Sequence, residues 1–190
     1  MIIDNVRLAY THLDEPRAAA EGAEPKYSVT LIVPKTKAFE DTVAEIRKAM
    51  NDVIADKWGN KAPKVLRSPL RDGDAVDDNG ERIKGPEFEN AYFITASSKK
   101  PVEVVAGKLR GPAGPEHKRA GNYGQVSVGF FAYDAVGNRG VGCGLNKVWI
   151  TRRGEPLGGF NEAFRETEVE DFGAIVEQAQ AAGKQTGDFF

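Results

Sequence analysis

The stretch YGQVSVGFFAYDAVGNRGVGCGLNKVWITRR, residues 123–153, contains two long alternating runs joined by a turn. In the first run Val126, Val128, Phe130 and Ala132 fall on one side. Tyr123, Gln125, Ser127, Gly129, Phe131 and Tyr133 fall on the other. Side chains on a strand alternate between faces, so this period of two predicts a strand with one core face and one outer face. DAVGNRG supplies an Asn/Gly turn, and RGVGCGLNKVWIT returns as the pairing strand.

The same period recurs upstream. KYSVTLIVP (26–34) places Tyr27, Val29, Leu31 and Val33 inward, with Lys26, Ser28 and Thr30 outward. IIDNVRLAY (2–10) places Val6, Leu8 and Tyr10 on one face and Asn5, Arg7 and Ala9 on the other. Pro34 stops the second strand because it has no N–H for a ladder, and Thr36 can cap a helix. Between residues 37 and 58, Phe39, Val43, Ile46, Met50, Val53, Ile54 and Trp58 recur every three or four residues, which predicts an amphipathic helix. Residues 59–90 are rich in turn formers. AYFITAS (91–97) and a short VEVVA (102–106) read as further strands, and GKLRGPAGPEHKRAGN as a Gly/Pro-rich loop. The fold class is therefore mainly β with one helix inserted after the second strand (α+β), in a small barrel or sandwich. LGGFNEAF, after Pro156, links residues 1–158 to an acidic tail, 159–190, expected to be partly helical with a flexible tip.

Composition limits the options. With 41% apolar and 28% charged residues the chain is neither disordered nor collagen-like. No apolar run approaches the ~20 residues of a spanning helix, and MIIDNVRLAY has no basic lead or apolar signal core. A single cysteine, Cys143, suits a reducing compartment, so the expected location is cytoplasmic. Cys143, His12 and His117 are too few for a structural zinc site, and neither a metal nor a cofactor is expected.

The net charge of −2 conceals an asymmetry. Residues 161–190 hold seven acids and two bases, which leaves 24 bases and 21 acids in residues 1–160. The body is +3 and the tail −5, consistent either with an anion-binding body or with a solvated acidic helix.

The outer face of the 123–133 strand interleaves aromatics with small polar groups. Nucleobases stack on such platforms without regard to sequence; the other reading puts Phe131 and Tyr133 under the helix or the tail. Lys99, Lys100, Lys108, Arg110, Lys118, Arg119, Arg139, Lys147, Arg152 and Arg153 fall at strand ends and loops around that strand. Such cations suit phosphate contacts, although any one basic pair can equally be a solubilising feature. With Tyr123, Phe131, Tyr133 and Trp149 they form the candidate DNA-contacting set.

Catalytic patterns find less support. Gly140, Gly142 and Gly144 resemble a dinucleotide fingerprint, but the third glycine is one residue early and a strand follows instead of a helix. Alternate strand glycines mark a bend or a close backbone approach. RDGDAVDDNGE (71–81) gathers five acids, but Val76 breaks the EF-hand spacing, so an exposed turn is the simpler reading. A nuclease using those carboxylates, or a non-catalytic virion component, are the alternative functions. His12 and His117 have no paired Ser or Asp, so no triad is indicated.

In order along the chain, NVRLAYTHLDEP, EPKYSVTLIVPK, PLRDGD, AYFITASSKKPVEVV, the 121–159 stretch and the terminal DFF resemble the phage single-stranded-DNA-binding proteins first catalogued as a domain of unknown function. The resemblance implies an OB-type barrel decorated with a helix. It also implies non-catalytic, sequence-independent binding of single-stranded DNA in viral replication, recombination and repair. The tail is less densely acidic than is usual in such proteins. Phe164, Phe172, Ile175, Val176 and Ala179 fit a helix over 162–182, with Gly183 and Gly187 releasing the tip. There Asp188, Phe189 and Phe190 either plug a pocket on a replication partner or pack on their own domain. Monomer and homodimer both remain open.

Overall fold

The structure, a computed structural model, describes residues 1–157 apart from Val136. The acidic tail, the helix expected over 162–182 and the Asp188–Phe190 tip lie outside the described residues.

Eight strands are present among these residues. They are β1 (Ile2–Arg17), β2 (Lys26–Pro34), β3 (Leu70–Asp72), β4 (Ala91–Ser98), β5 (Glu103–Ala106), β6 (Gly111–Pro112), β7 (Tyr123–Ala135) and β8 (Asn138–Arg152). The sheet runs β3-β4-β2-β1-β7-β8-β5-β6, and a parallel pairing of β4 with β8 at Ser97 and Gly144 closes β1, β2, β4, β8 and β7 into a five-stranded barrel. The result is an OB-type barrel with an inserted helix. Closure removes the free edges that an open sheet of five strands would expose. The barrel is filled from the inward positions: Val6, Leu8, Val29, Leu31, Val33, Ile94, Val126, Val128 and Val148 are all almost fully buried.

Helix α1 (Glu40–Trp58) follows a 3-10 turn over Lys37–Phe39. Phe39 of that turn and Val43 and Met50 of the helix pack on the core, and Ile46 is fully buried there. Burial of such a side chain contributes about 1.5–3 kcal/mol. Gly59 ends the helix at φ 53°, a conformation that only glycine adopts cheaply, and its N–H donates to the Ala55 carbonyl. Thr36 precedes the 3-10 turn but its side chain forms no capping bond; its backbone carbonyl accepts from the Phe39 N–H at 2.9 Å instead.

One expectation about faces is corrected. Tyr10 is not inward: it is 53% exposed. Tyr10 has φ 45°, and the β1–β2 register shifts between Ala9 and His12, so a bulge there reverses the alternation. Asn5 (φ 51°) marks a second shift, between Ile3 and Val6 on the β7 side. Thr30 does point outward but is buried, and its hydroxyl shares a 3.0 Å hydrogen bond with that of Thr95. The turn-rich stretch 59–90 also contains more structure than its composition suggests. It contributes β3 and the fully buried Phe88, which anchors an outer cluster with Ala9, Ile32, Ala91 and Phe93. That cluster covers one half of the β2–β4 outer face. The other half is left bare.

Candidate nucleic-acid interface

On the bare half lies a groove of about 400 Å³. Phe131 and Tyr133 come to it from β7, Thr95 and Ser97 from β4, and Gly142 from β8. Its cations are Lys26, Arg67 and Arg71, and no carboxylate lines it among the described residues. OB folds bind oligonucleotides on the outer face of the second and third barrel strands, flanked by the loops after the first and fourth. The groove occupies that place, because β2 and β4 are the second and third barrel strands and Tyr133 adjoins the β7–β8 turn.

The aromatic floor is built by glycine. Phe131 pairs with Gly142 across β7 and β8, and a Cβ at 142 would lie 2.4 Å from Phe131 Cζ. The ring therefore lies across β8 in space that no other residue type would leave, and it stays 52% exposed. Gly140 serves another approach. Arg67 N–H donates to the Arg139 carbonyl and Val141 N–H to the Arg67 carbonyl, both at 2.9 Å, and a Cβ at 140 would meet that Arg67 carbonyl at 2.4 Å. The segment before β3 is thus clipped against the β7–β8 hairpin, with Arg67 and Arg71 beside the rings. Gly140 and Gly142 thus mark close approaches, whereas a Cβ at Gly144 would make only ordinary contact, 3.4 Å from the Gly129 carbonyl oxygen.

The remaining predicted residues fall into three groups. Four cations are engaged by acids: Lys99 with Glu24 at 2.6 Å, Lys147 with Glu103 at 2.9 Å and Lys118 with Asp14, all distant in sequence, and Arg139 with Asp134 at 2.8 Å across the β7–β8 turn. The Arg139 guanidinium holds the Asp134 carboxyl below its usual range. A second group is stacked away from the groove. Arg152 sits 3.7 Å and Arg7 5.8 Å from the Tyr123 ring centre, while Arg110 lies 4.1 Å from that of Trp149. Tyr123 is eight residues from Phe131, about 26 Å along an extended strand, so the two rings share a face but not a site. The third group, Lys100, Lys108, Arg119 and Arg153, makes no ion pair among the described residues.

Lys26, Arg67 and Arg71 were missing from the expected set. KAPKVLRSPLR (61–71) repeats a cation every three or four residues, at Lys61, Lys64, Arg67 and Arg71, a signal obscured by its turn-forming neighbours.

The acids of 71–81 have structural work. Lys35 Nζ donates to both Asp72 and Asp74, and Arg82 pairs with Asp74 and Glu89. The Lys35 ammonium lowers both aspartate pKa values. Asp77 accepts from the Asn79 and Glu81 N–H groups at 2.9 Å, forming the exposed turn. Cys143 lies under the groove, and burial pushes its thiol up to about 12, so at neutral pH it is protonated and a poor nucleophile. His12 sits on β1, its pKa lowered by burial and then by Arg17; His117 lies in the 115–117 turn and accepts from the Gly114 N–H at 3.2 Å.

Comparison with known proteins places this geometry among relatives. Residues 1–181 match the family model described as Enterobacter phage Enc34, ssDNA-binding protein. Protein p50 of Acyrthosiphon pisum secondary endosymbiont phage 1 is 29% identical over 167 residues, which cover 83% of this chain and 85% of that one. Among solved structures, the single-stranded DNA-binding protein from bacteriophage Enc34 in complex with ssDNA is 25% identical, with a TM-score of 0.68 over 83% of this chain and 88% of that chain. Gp2.5, a single-stranded DNA-binding protein encoded by bacteriophage T7, shares the fold at 14% identity, with a TM-score of 0.53 over 84% of this chain and 91% of that chain.

Proposed function

The chain belongs to the Enc34 ssDNA-binding protein family, and from that premise we propose that its groove binds single-stranded DNA without sequence preference and without catalysis. The observation that carries this reading is the exposed Phe131 ring beside Tyr133, in a groove with three cations and no lining carboxylate among the described residues. A base has a flat face to stack on the ring whatever its identity, and its phosphates meet Lys26, Arg67 and Arg71. A nuclease built on the 71–81 acids is less well supported, because Asp72 and Asp74 are occupied by Lys35 and Arg82.

Phe131→Ala is expected to weaken oligo-dT binding by about 1–3 kcal/mol, roughly five- to 150-fold in Kd, with little change in melting temperature, because the ring is half in solvent. Fluorescence or mobility-shift titration reads the effect. Undiminished affinity in Phe131→Ala would remove the platform from the reading.

The cellular role we propose is phage DNA replication, recombination and repair in the host cytoplasm. In it, Asp188, Phe189 and Phe190 recruit a replication protein through their acidic and aromatic groups. Deleting residues 186–190 is expected to leave the melting temperature unchanged while binding to the phage replication proteins is lost. A clear fall in melting temperature would instead mean that the two rings pack on their own domain.

A further inference from the structure

The β5–β6 hairpin carries a loop, 107–110, that folds over the outer face of β8. Trp149 Nε1 donates to the Gly107 carbonyl at 2.9 Å, and the Arg110 guanidinium lies 4.1 Å from the indole centre. At the tip, Leu109 is 97% exposed between Lys108 and Arg110. The loop thus displays a cation, an apolar side chain and a second cation on an aromatic base, and buries little by doing so. Neither Lys108 nor Arg110 has a carboxylate partner among the described residues. A flat guanidinium on an indole presents a second flat face outward, on which a nucleobase stacks as it would on an aromatic ring.

The loop and the groove share one surface. Trp149 pairs with Gln125, six residues before Phe131 on β7, a separation of about 20 Å. Between them the outer positions are small or polar: Ser127, Gly129, Gly144, Asn146 and Lys147, the last paired with Glu103 at 2.9 Å. At Gly129 a Cβ would meet no atom closer than 3.8 Å, so the path above the strand is open.

We propose that Trp149, Arg110 and Lys108 form a second station for single-stranded DNA, reached by a strand that leaves the groove and runs along the outer face of β7 and β8. This rests on the groove being the primary site. Two stations about 20 Å apart make affinity depend on the length of the strand, since a short one fills the groove alone.

The test uses the full chain and two oligo-dT probes near the limits of OB-fold site sizes, about five and about fifteen nucleotides. Lys108→Gln with Arg110→Gln alters only loop side chains. It is expected to weaken the longer probe at every salt concentration through the lost Arg110 stack and to reduce its salt slope of log K by about 0.7, one phosphate contact of a single strand at Lys108, while leaving the shorter probe unaffected. Trp149 fluorescence, isolated by Trp58→Phe, should be quenched by the longer probe and not by the shorter. Unchanged binding of the longer probe by the double variant would overturn the second station and leave the groove intact. Equal losses with both probes would overturn it too, by making the loop part of the primary site. Phe131→Ala, weakening both probes, reports separately on the groove.

Discussion

Converting Lys26, Arg67 and Arg71 together to glutamine is expected to flatten the salt dependence of oligo-dT binding by about two units in the slope of log K against log salt. Each phosphate neutralised on a single strand contributes about 0.7 to that slope through release of condensed counterions, and the groove holds three cations. The slope distinguishes this effect from loss of stacking, which would lower affinity at every salt concentration by the same factor. None of the three makes an ion pair among the described residues, so the variant should melt close to the parent temperature. Titrations at two or more salt concentrations decide the matter. If the triple variant keeps the parent slope, the phosphates lie elsewhere, and the cations of the second half of the chain become the better candidates.

That outcome would also bear on how far the interface can be read from sequence. The face of β7 was legible because period two survives along an uninterrupted strand, and helix α1 was legible because its apolar residues return every turn. The place of Phe131 and Tyr133 on the outer face of β7 followed from the same alternation. Tyr10 was misplaced because a bulge beside it, at a residue with φ 45°, shifts the pattern by one residue, and nothing in Ala-Tyr-Thr announces a left-handed tyrosine. The cations divide along another line. Lys99, Lys118 and Lys147 are held by Glu24, Asp14 and Glu103, partners 44 to 104 residues away in sequence that tertiary pairing brings close; Glu103 and Lys147, for one, are cross-strand partners on β5 and β8. Arg67 and Arg71 reach the groove for the converse reason. A two-bond backbone clip to β8, made possible by Gly140, carries a segment that reads as a loop to the side of the rings. Local pattern thus gives faces, while pairing between distant segments decides which charges remain available.

The outer cluster supplies the second large expected effect. Phe88→Ala should destabilise the protein by about 3–5 kcal/mol, the usual cost of emptying a fully buried phenylalanine site. For a chain of this size that lowers the melting temperature by roughly 6–20 °C, measurable by calorimetry or circular dichroism. Phe88 is 0% exposed and packs against Phe93 with ring centres 5.0 Å apart, while Tyr10 stacks on it at 5.8 Å. Little relaxation can fill the space, because the backbone around it is already tight: a Cβ on Gly73 would stand 2.1 Å from the Phe88 carbonyl oxygen. A loss below about 1 kcal/mol would mean that the segment collapses freely and that the cluster is no second core. The variant also separates stability from binding. Phe88 fastens residues 73–90 over one half of the β2–β4 face, whereas the groove occupies the other half, with Lys26, Thr95 and Phe131 on strands that the barrel core fixes independently. At a temperature where the variant remains folded, its affinity for oligo-dT should therefore match the parent's. A parallel loss of affinity would show that the covering segment, and not the barrel alone, holds the groove in shape.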